Sequence, residues 1–392
     1  MVSARRRVGG LVAGVSALVG VVLLLVEVPQ PPKGVMASDR SDQIPLPMKQ
    51  WVALEMPQVG KGPSANIKHL TAAVNPENGR IYMVGGDYAG LRFENSYRQE
   101  VWSLSVAERW TNRADRNAGW QLEYPYCGPP GAVQPKHPDF VGWLWDVRRR
   151  VFWMVPGTMV ASNDVCEGET VAAGSDPGFL FYRVMTFDPA SRQWADRGSP
   201  GPDTGETWMS VHDTVRDELV RFGYSGGSGA VVNILKLRTM EWERVRLATN
   251  ALGKEIRISK EYLAADHARR VIYAIDGVSG RLHRYSMERR NIEDLGPVPG
   301  GPHGSENYMY VVWDSRNEVL LWYRESPPSF HAYHPRSMRW EPLSVSSDLP
   351  NVVARGRVMV YDPLQNATLL FGGVEPANPY LFLYRYAEKS AR

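Results

Sequence analysis

Cysteine is nearly absent from this chain: Cys127 and Cys166 are the only two in 392 residues. Two thiols build no zinc signature, and no nucleophile elbow or phosphate loop appears either. Runs rich in Ala, Leu, Lys and Glu are scarce beyond the first thirty residues, so long helices are not expected in the body of the chain. That body also lacks an excess of charge. The protein has 45 Lys and Arg against 42 Asp and Glu. The first 37 residues hold Arg5, Arg6, Arg7 and Lys33 against Glu27 alone, which leaves the remainder neutral. A neutral domain gives no whole-surface argument for nucleic acid, which needs a basic stripe.

What is abundant points to β structure. The chain has 36 Gly, 29 Pro, 13 Trp and 18 Tyr, a composition of many short strands joined by tight turns. Ahead of this lies a different segment. The basic cluster Arg5–Arg7 precedes 19 uncharged residues, Val8 to Val26, and a Pro-rich spacer from Pro29 to Pro32. This pattern reads as an export signal over residues 1–37, with Val35-Met36-Ala37 offering cleavage before Ser38. The run is almost long enough to span a bilayer, so an uncleaved anchor through residues 8–26 stays open as the second outcome. Either way residues 38–392 are expected outside the membrane, in a periplasmic, extracellular or membrane-anchored setting. Such compartments are oxidising, so Cys127 and Cys166 are expected to pair, two separate thiols being the competing reading.

One pattern recurs six times. An apolar strand ends in Asn or Asp, a polar turn follows, and a second apolar strand begins five residues later. The Asx residues are Asn75, Asp146, Asp213, Asp266, Asp314 and Asp362, separated by 71, 67, 53, 48 and 48 residues. That period suits one four-stranded blade per repeat, with insertions in the first two. The Asx side chain caps the backbone two residues on and so starts the reversal. The second half of each unit repeats too: an aromatic or apolar residue stands seven before a Trp in Phe187–Trp194, Leu235–Trp242 and Tyr333–Trp340, and Tyr285 stands seven before Ile292. Trp120 fills the same slot in the first copy after a longer loop. The last copy stops after its third strand, around Tyr384, and Lys49–Leu54 supplies the missing fourth. The expectation is an all-β, six-bladed β-propeller over residues 38–392 whose N-terminal strand closes the last blade, leaving no open sheet edge.

Gly85-Gly86 and Gly372-Gly373 after the second strand, an aromatic in the third and a Trp in the fourth together resemble the Kelch repeat. The resemblance spans residues 46–388 and is degenerate in the middle copies, where Asp314 leads to Arg324-Glu325 instead of glycines. A WD-repeat propeller is the nearest rival, but Trp145-Asp146 and Trp313-Asp314 sit in the turn register. The Kelch resemblance also brings in galactose oxidase-like domains. Their copper site needs a Tyr-His set with a Cys cross-linked to a ligand Tyr, and both cysteines here are better explained as a pair, so neither metal nor cofactor is expected. His331 and His334 point to opposite faces of a strand and cannot chelate one ion. His212 and His267 adjoin turn Asx residues and read as structural.

In propellers of this kind the loops between second and third strands, and between blades, gather on one face around the channel mouth. The residues beginning each innermost strand there are Lys68-His69, His137-Pro138-Asp139, Glu206-Thr207-Trp208, Lys260-Glu261-Tyr262, His303 with Glu306-Asn307-Tyr308, and Arg355 with Arg357. The first-blade loop adds Asp87, Tyr88, Arg92 and Glu94. Rings that stack on sugar C–H faces, beside carboxylates and guanidiniums that take hydroxyls or acids, are what a polar ligand needs. Arg92, Trp208, Lys260, Tyr262, His303 and Arg355 are therefore the ligand-binding candidates, and Glu206, Glu306 and Tyr308 the catalytic ones. For the aromatics, packing between blades is the competing role. The Kelch resemblance implies a recognition module for glycan or protein, expected to be a monomer. A carbohydrate-active enzyme, of sugar epimerase or polysaccharide lyase type, is the alternative from another class.

Overall fold

The six recurring Asx residues place themselves by the same local chemistry. In the computed structural model, the Glu77 amide donates to Asn75 Oδ1 at 2.9 Å and the Arg148 amide to Asp146 Oδ1 at 2.8 Å. The Val215, Arg269, Arg316 and Leu364 amides do the same for Asp213, Asp266, Asp314 and Asp362, at 2.9–3.2 Å. Four residues after each Asx the backbone turns left-handed, at Gly79, Arg150, Asp217, Arg270, Glu318 and Asn366, with φ between 49° and 67°. Only the first is glycine; a side chain in that region costs about 1 kcal/mol, which the fixed hairpin register offsets. One residue later the second strand begins, and each Asx pairs with the residue five ahead: Asn75 with Arg80, Asp146 with Val151, and on through Asp362 with Ala367.

Described by the structure are residues 43–58, 61–63, 67–68, 70–88, 96–97, 100–125, 128–129, 132–133, 135, 142–155, 183–198, 210–224, 230–247, 258–277, 279–302, 309–345, 349, 355–374 and 380–387. Among them, six four-stranded antiparallel sheets form the blades of a six-bladed β-propeller. Their innermost strands are Thr71–Asn75, Gly142–Asp146, Ser210–Asp213, Ile258–Asp266, Met309–Asp314 and Arg355–Asp362. The last lies beside the first, closing the ring. A small extra sheet joins Ile67–Lys68, Asp87–Tyr88 and Ser96–Tyr97 in the first blade. The longer connection before Trp120 holds a short helix, Val106–Thr111, with Ser105 as its N-cap. No described helix is long and apolar enough to cross a membrane, and residues 8–26 lie outside the described part.

The seven-residue spacing is the register of the third and fourth strands. Phe187 pairs with Trp194, Leu235 with Trp242, Tyr285 with Ile292 and Tyr333 with Trp340. Leu104 faces Trp120 in blade 1, and Tyr384 faces Trp51 in blade 6. Within a blade, alternate residues of the second strand pack toward opposite neighbours. In Val319–Glu325, Leu320 and Trp322 join the cluster shared with blade 4, while Leu321 and Tyr323 join the one shared with blade 6. The core is thus a ring of interfaces between blades.

Blade 6 takes its fourth strand, Trp51–Glu55, from the N-terminal side of the chain. It starts two residues later than Lys49–Leu54, because Lys49 itself turns left-handed (φ 53°) while its amide donates to the Arg385 carbonyl. Arg385 is 3 % exposed and its guanidinium donates to the carbonyls of Ile44, Leu46, Gln365 and Asn366. Beside it Glu341 accepts from Lys49 at 2.7 Å and Tyr386 at 2.5 Å and lies 2.9 Å from His334. Burial works to raise the Glu341 carboxyl, and these contacts overcome it, holding it at about 2. One cationic side chain therefore ties both ends of the propeller to the blade-6 turn. Replacing it (Arg385→Ala) leaves buried carbonyls unsatisfied and is expected to lower unfolding stability by about 3 kcal/mol. Denaturant titration tests this; a loss under about 0.5 kcal/mol contradicts a locking role.

Candidate functional site

The strand ends opposite the Asx turns form the mouth face. Of the residues expected there, Arg92, Glu206, Trp208, His303, Glu306 and Tyr308 lie outside the described residues, as do Cys127 and Cys166. Arg355 opens the innermost strand of blade 6, whereas Lys260 and Tyr262 lie two and four residues inside that of blade 4, which starts at Ile258; the side chains of all three lie outside the described part. In the small first-blade sheet Lys68 pairs with Asp87.

Beneath the mouth, two interfaces between blades turn polar. Between blades 5 and 6, Arg357 Nε lies 3.1 Å from Glu325 Oε1, with side chains 0 % and 1 % exposed. The Arg357 amide donates to the Tyr310 hydroxyl at 3.1 Å. Tyr323, one residue before Arg324-Glu325, lies against the same guanidinium: burial pushes its phenol up to about 12, partly offset by the Arg357 charge. The terminal nitrogens of Arg357 make no hydrogen bond of ordinary geometry. A guanidinium stays charged even when buried, so this one holds a fixed positive charge with donors to spare.

Three blades away, the interface of blades 2 and 3 ends in Ser210, Arg221 and Asn233, adjacent across the strands. Their relative exposures are 8 %, 2 % and 0 %. Ser210 Oγ and both polar atoms of the Asn233 amide make no hydrogen bond. Buried groups in that condition cost about 1–3 kcal/mol each, and they are found where water or ligand engages them. Gly142 opens the neighbouring innermost strand here because a Cβ would stand 2.3 Å from Ser210 Oγ.

At the opposite end of that same interface, Asp146, His212 and Asp217 bring three ligand-type atoms within 4.8 Å of one another. Their geometry does not favour a metal. Arg149 Nη1 already donates to Asp146 Oδ2 at 2.8 Å and Asp217 Oδ1 at 2.7 Å, and Nη2 to Asp217 Oδ2 at 2.7 Å, so a cation would have to displace a guanidinium. Burial lowers the His212 pKa, against the pull of both carboxylates, and keeps the ring neutral. The structural role expected for His212 fits this setting. His331 packs at a tilt against Trp322, ring centroids 5.2 Å apart, while His334 meets Glu341, so the two do point apart.

Sequence reading singled out Arg357 but missed Glu325, Tyr310, Tyr323, Ser210, Arg221 and Asn233. Arg324-Glu325, standing where the repeat has paired glycines, was the available signal. No family model matches the chain, and no curated protein matches it significantly.

His212 supplies a pH test. A neutral ring in the fold means the unfolded chain binds the extra proton first, so stability is present above the free value of about 6.5 and falls as pH drops below it. Unfolding free energy measured at pH 7.5 and 5.5 should fall by up to about 1.4 kcal/mol per unit more in the wild type than in His212→Gln. Equal slopes contradict a buried neutral ring.

Proposed function

We propose that this chain is an exported Kelch-like propeller that recognises a glycan or protein ligand through its mouth face, and that the ligand presents a carboxylate. The observation that carries this reading is Arg357, a buried fixed charge near the start of an innermost strand, set against one carboxylate, Glu325, and the Tyr323 phenol, which together accept fewer bonds than its five donors can make. Such a fork matches an acidic group bidentately. Ser210 and Asn233 add uncommitted donors and acceptors at the interface across the ring. The Kelch likeness draws support from the six-fold register and from left-handed backbone at Gly85, Gly86 and Gly372. The enzyme alternative needs a base near neutral pH. Tyr323 is not one, so that role would fall to Glu206, Glu306 or Tyr308.

Thermal unfolding of the purified protein against acidic and neutral saccharides tests the proposal, because a ligand of the folded state raises the midpoint. A uronate-bearing saccharide at a hundred times its dissociation constant adds about 2.7 kcal/mol. That gain is expected to vanish in the charge-neutral pair Arg357→Met with Glu325→Gln, which leaves no lone buried charge. Equal shifts with neutral sugars contradict carboxylate recognition, and no shift with any saccharide leaves only a protein ligand. Product formation lost in Glu206→Gln or Tyr308→Phe would establish the enzyme.

A further inference from the structure

The opposite face, made by the Asx turns and the connections between third and fourth strands, carries its own pattern of charge. Many of its arginines serve the fold: Arg149 binds Asp146 and Asp217, Arg270 binds Asp213, and Arg290 binds Glu218 and Glu243. Five others do not. Arg116, Arg148, Arg238, Arg289 and Arg339, one from each of blades 1 to 5, are exposed, and their side chains make no hydrogen bond or ion pair among the described residues. The exposed carboxylates on the same turns that are likewise unpaired are Glu241 and Glu288. Asp115 and Asp188 cap their own turns through neutral donors and keep their charge, so the five guanidiniums stand against four carboxylates. The result is a ring of exposed guanidiniums, one per blade from 1 to 5, with a small excess of positive charge on a domain that is neutral as a whole.

Apolar side chains stand among them. Of six large hydrophobic residues exposed in the described part, three lie on or next to this face: Met48 at 53 %, Val215 at 51 % and Met338 at 67 %. Arginine mixed with protruding Met and Val suits the boundary between headgroups and acyl chains better than it suits a purely ionic polymer.

Blade 6 contributes no such arginine; there the chain itself arrives. The Ile44 amide donates to Gln365 Oε1 at 2.9 Å and its carbonyl accepts from Arg385 at 2.8 Å, both contacts at the turn end of the blade. The chain therefore enters the propeller on the arginine face. Only 17 residues separate Ile44 from Val26, the last of the apolar run behind Arg5–Arg7. Fully extended, they reach about 60 Å.

We propose that the turn face is a docking surface for a membrane rich in anionic lipid, on which guanidiniums take headgroup phosphates and Met48, Val215 and Met338 enter the interface. The propeller then rests turn side down and its mouth opens away from the bilayer. Docking needs no anchor, though an uncleaved 8–26 segment would reinforce it, since two weak signals give stable attachment.

Every described strand pair and core cluster lies between Ile44 and Ala387, so residues 38–392 contain the whole propeller and can be tested without the apolar segment. Sedimentation with vesicles of phosphatidylcholine, alone or with about 30 % phosphatidylglycerol, is the assay, at about 0.05 and 0.3 M NaCl. Binding to the anionic vesicles should exceed binding to neutral ones about tenfold and fall about tenfold at the higher salt. The combined variant Arg148→Gln, Arg238→Gln, Arg289→Gln and Arg339→Gln should lose it while melting within a few degrees of the wild type, because these side chains make no hydrogen bond or ion pair among the described residues and only Arg148 lends a distant charge to Asp217. Met338→Ser with Met48→Ser should weaken it at both salts. Equal binding to neutral vesicles, unchanged binding of the arginine variant, or equally tight binding to duplex DNA at matched salt would overturn the proposal. A mouth ligand that shifts stability in the Arg148→Gln, Arg238→Gln, Arg289→Gln and Arg339→Gln variant shows that the two faces act separately.

Discussion

Closure of the sixth blade is the constraint on which the rest of this structure depends. A linear run of four-stranded sheets would end in unpaired strand edges and in blade faces with no neighbour to cover them. Here Trp51–Glu55 pairs with Tyr380–Tyr384, and Trp51 packs 4.9 Å from the Tyr384 ring and 5.2 Å from Phe330 of blade 5. A strand from one end of the chain thus completes a sheet from the other and covers the neighbouring blade. Because the first and last blades then touch, every interface has two walls, and the six innermost strands begin around one mouth.

With the ring closed, charge is managed at the ends of the interfaces and apolar surface fills their middles. Between blades 2 and 3, Leu219 and Leu235 lie between Arg221 and Asn233 on the mouth side and Asp146, His212 and Arg149 on the turn side. Arg270 reaches from blade 4 to Asp213 of blade 3, and Arg290 to Glu218 and Glu243. The turn carboxylates are buried, and buried charges need partners, so the arginine three or four residues after an Asx ties a hairpin both to itself and to its neighbour. The two faces consequently differ: the turn side holds the carboxylate–guanidinium pairs that join neighbouring blades, whereas beneath the mouth Ser210 and Asn233 keep donors and acceptors uncommitted.

Much of the fold was legible because it follows from local chemistry. The Asx residue, the left-handed residue four later and the pairing five later are properties of one hairpin, and the seven-residue spacing to Trp is the register of the next. Even the borrowed strand could be found, since the last repeat lacks its fourth. What could not be read was pairing across interfaces. Nothing local ties Glu325 to Arg357, which are 32 residues apart and in different blades. Nor does the run Arg148-Arg149-Arg150 say which guanidinium is held by Asp217 and which is free. The candidate mouth residues were chosen by strand position alone, and position decides which end of a blade a residue occupies but not what it meets there.

Amide hydrogen exchange in the closing strand tests this account most directly. If closure holds the ring together, Val52–Leu54 open only when the whole propeller unfolds, and their protection matches that of the blade-4 strand Val271–Asp276. Exchange in the closing strand faster by a factor of a thousand, a gap of about 4 kcal/mol, would mean that it detaches alone while the other blades stay folded, and would contradict the central place given to it.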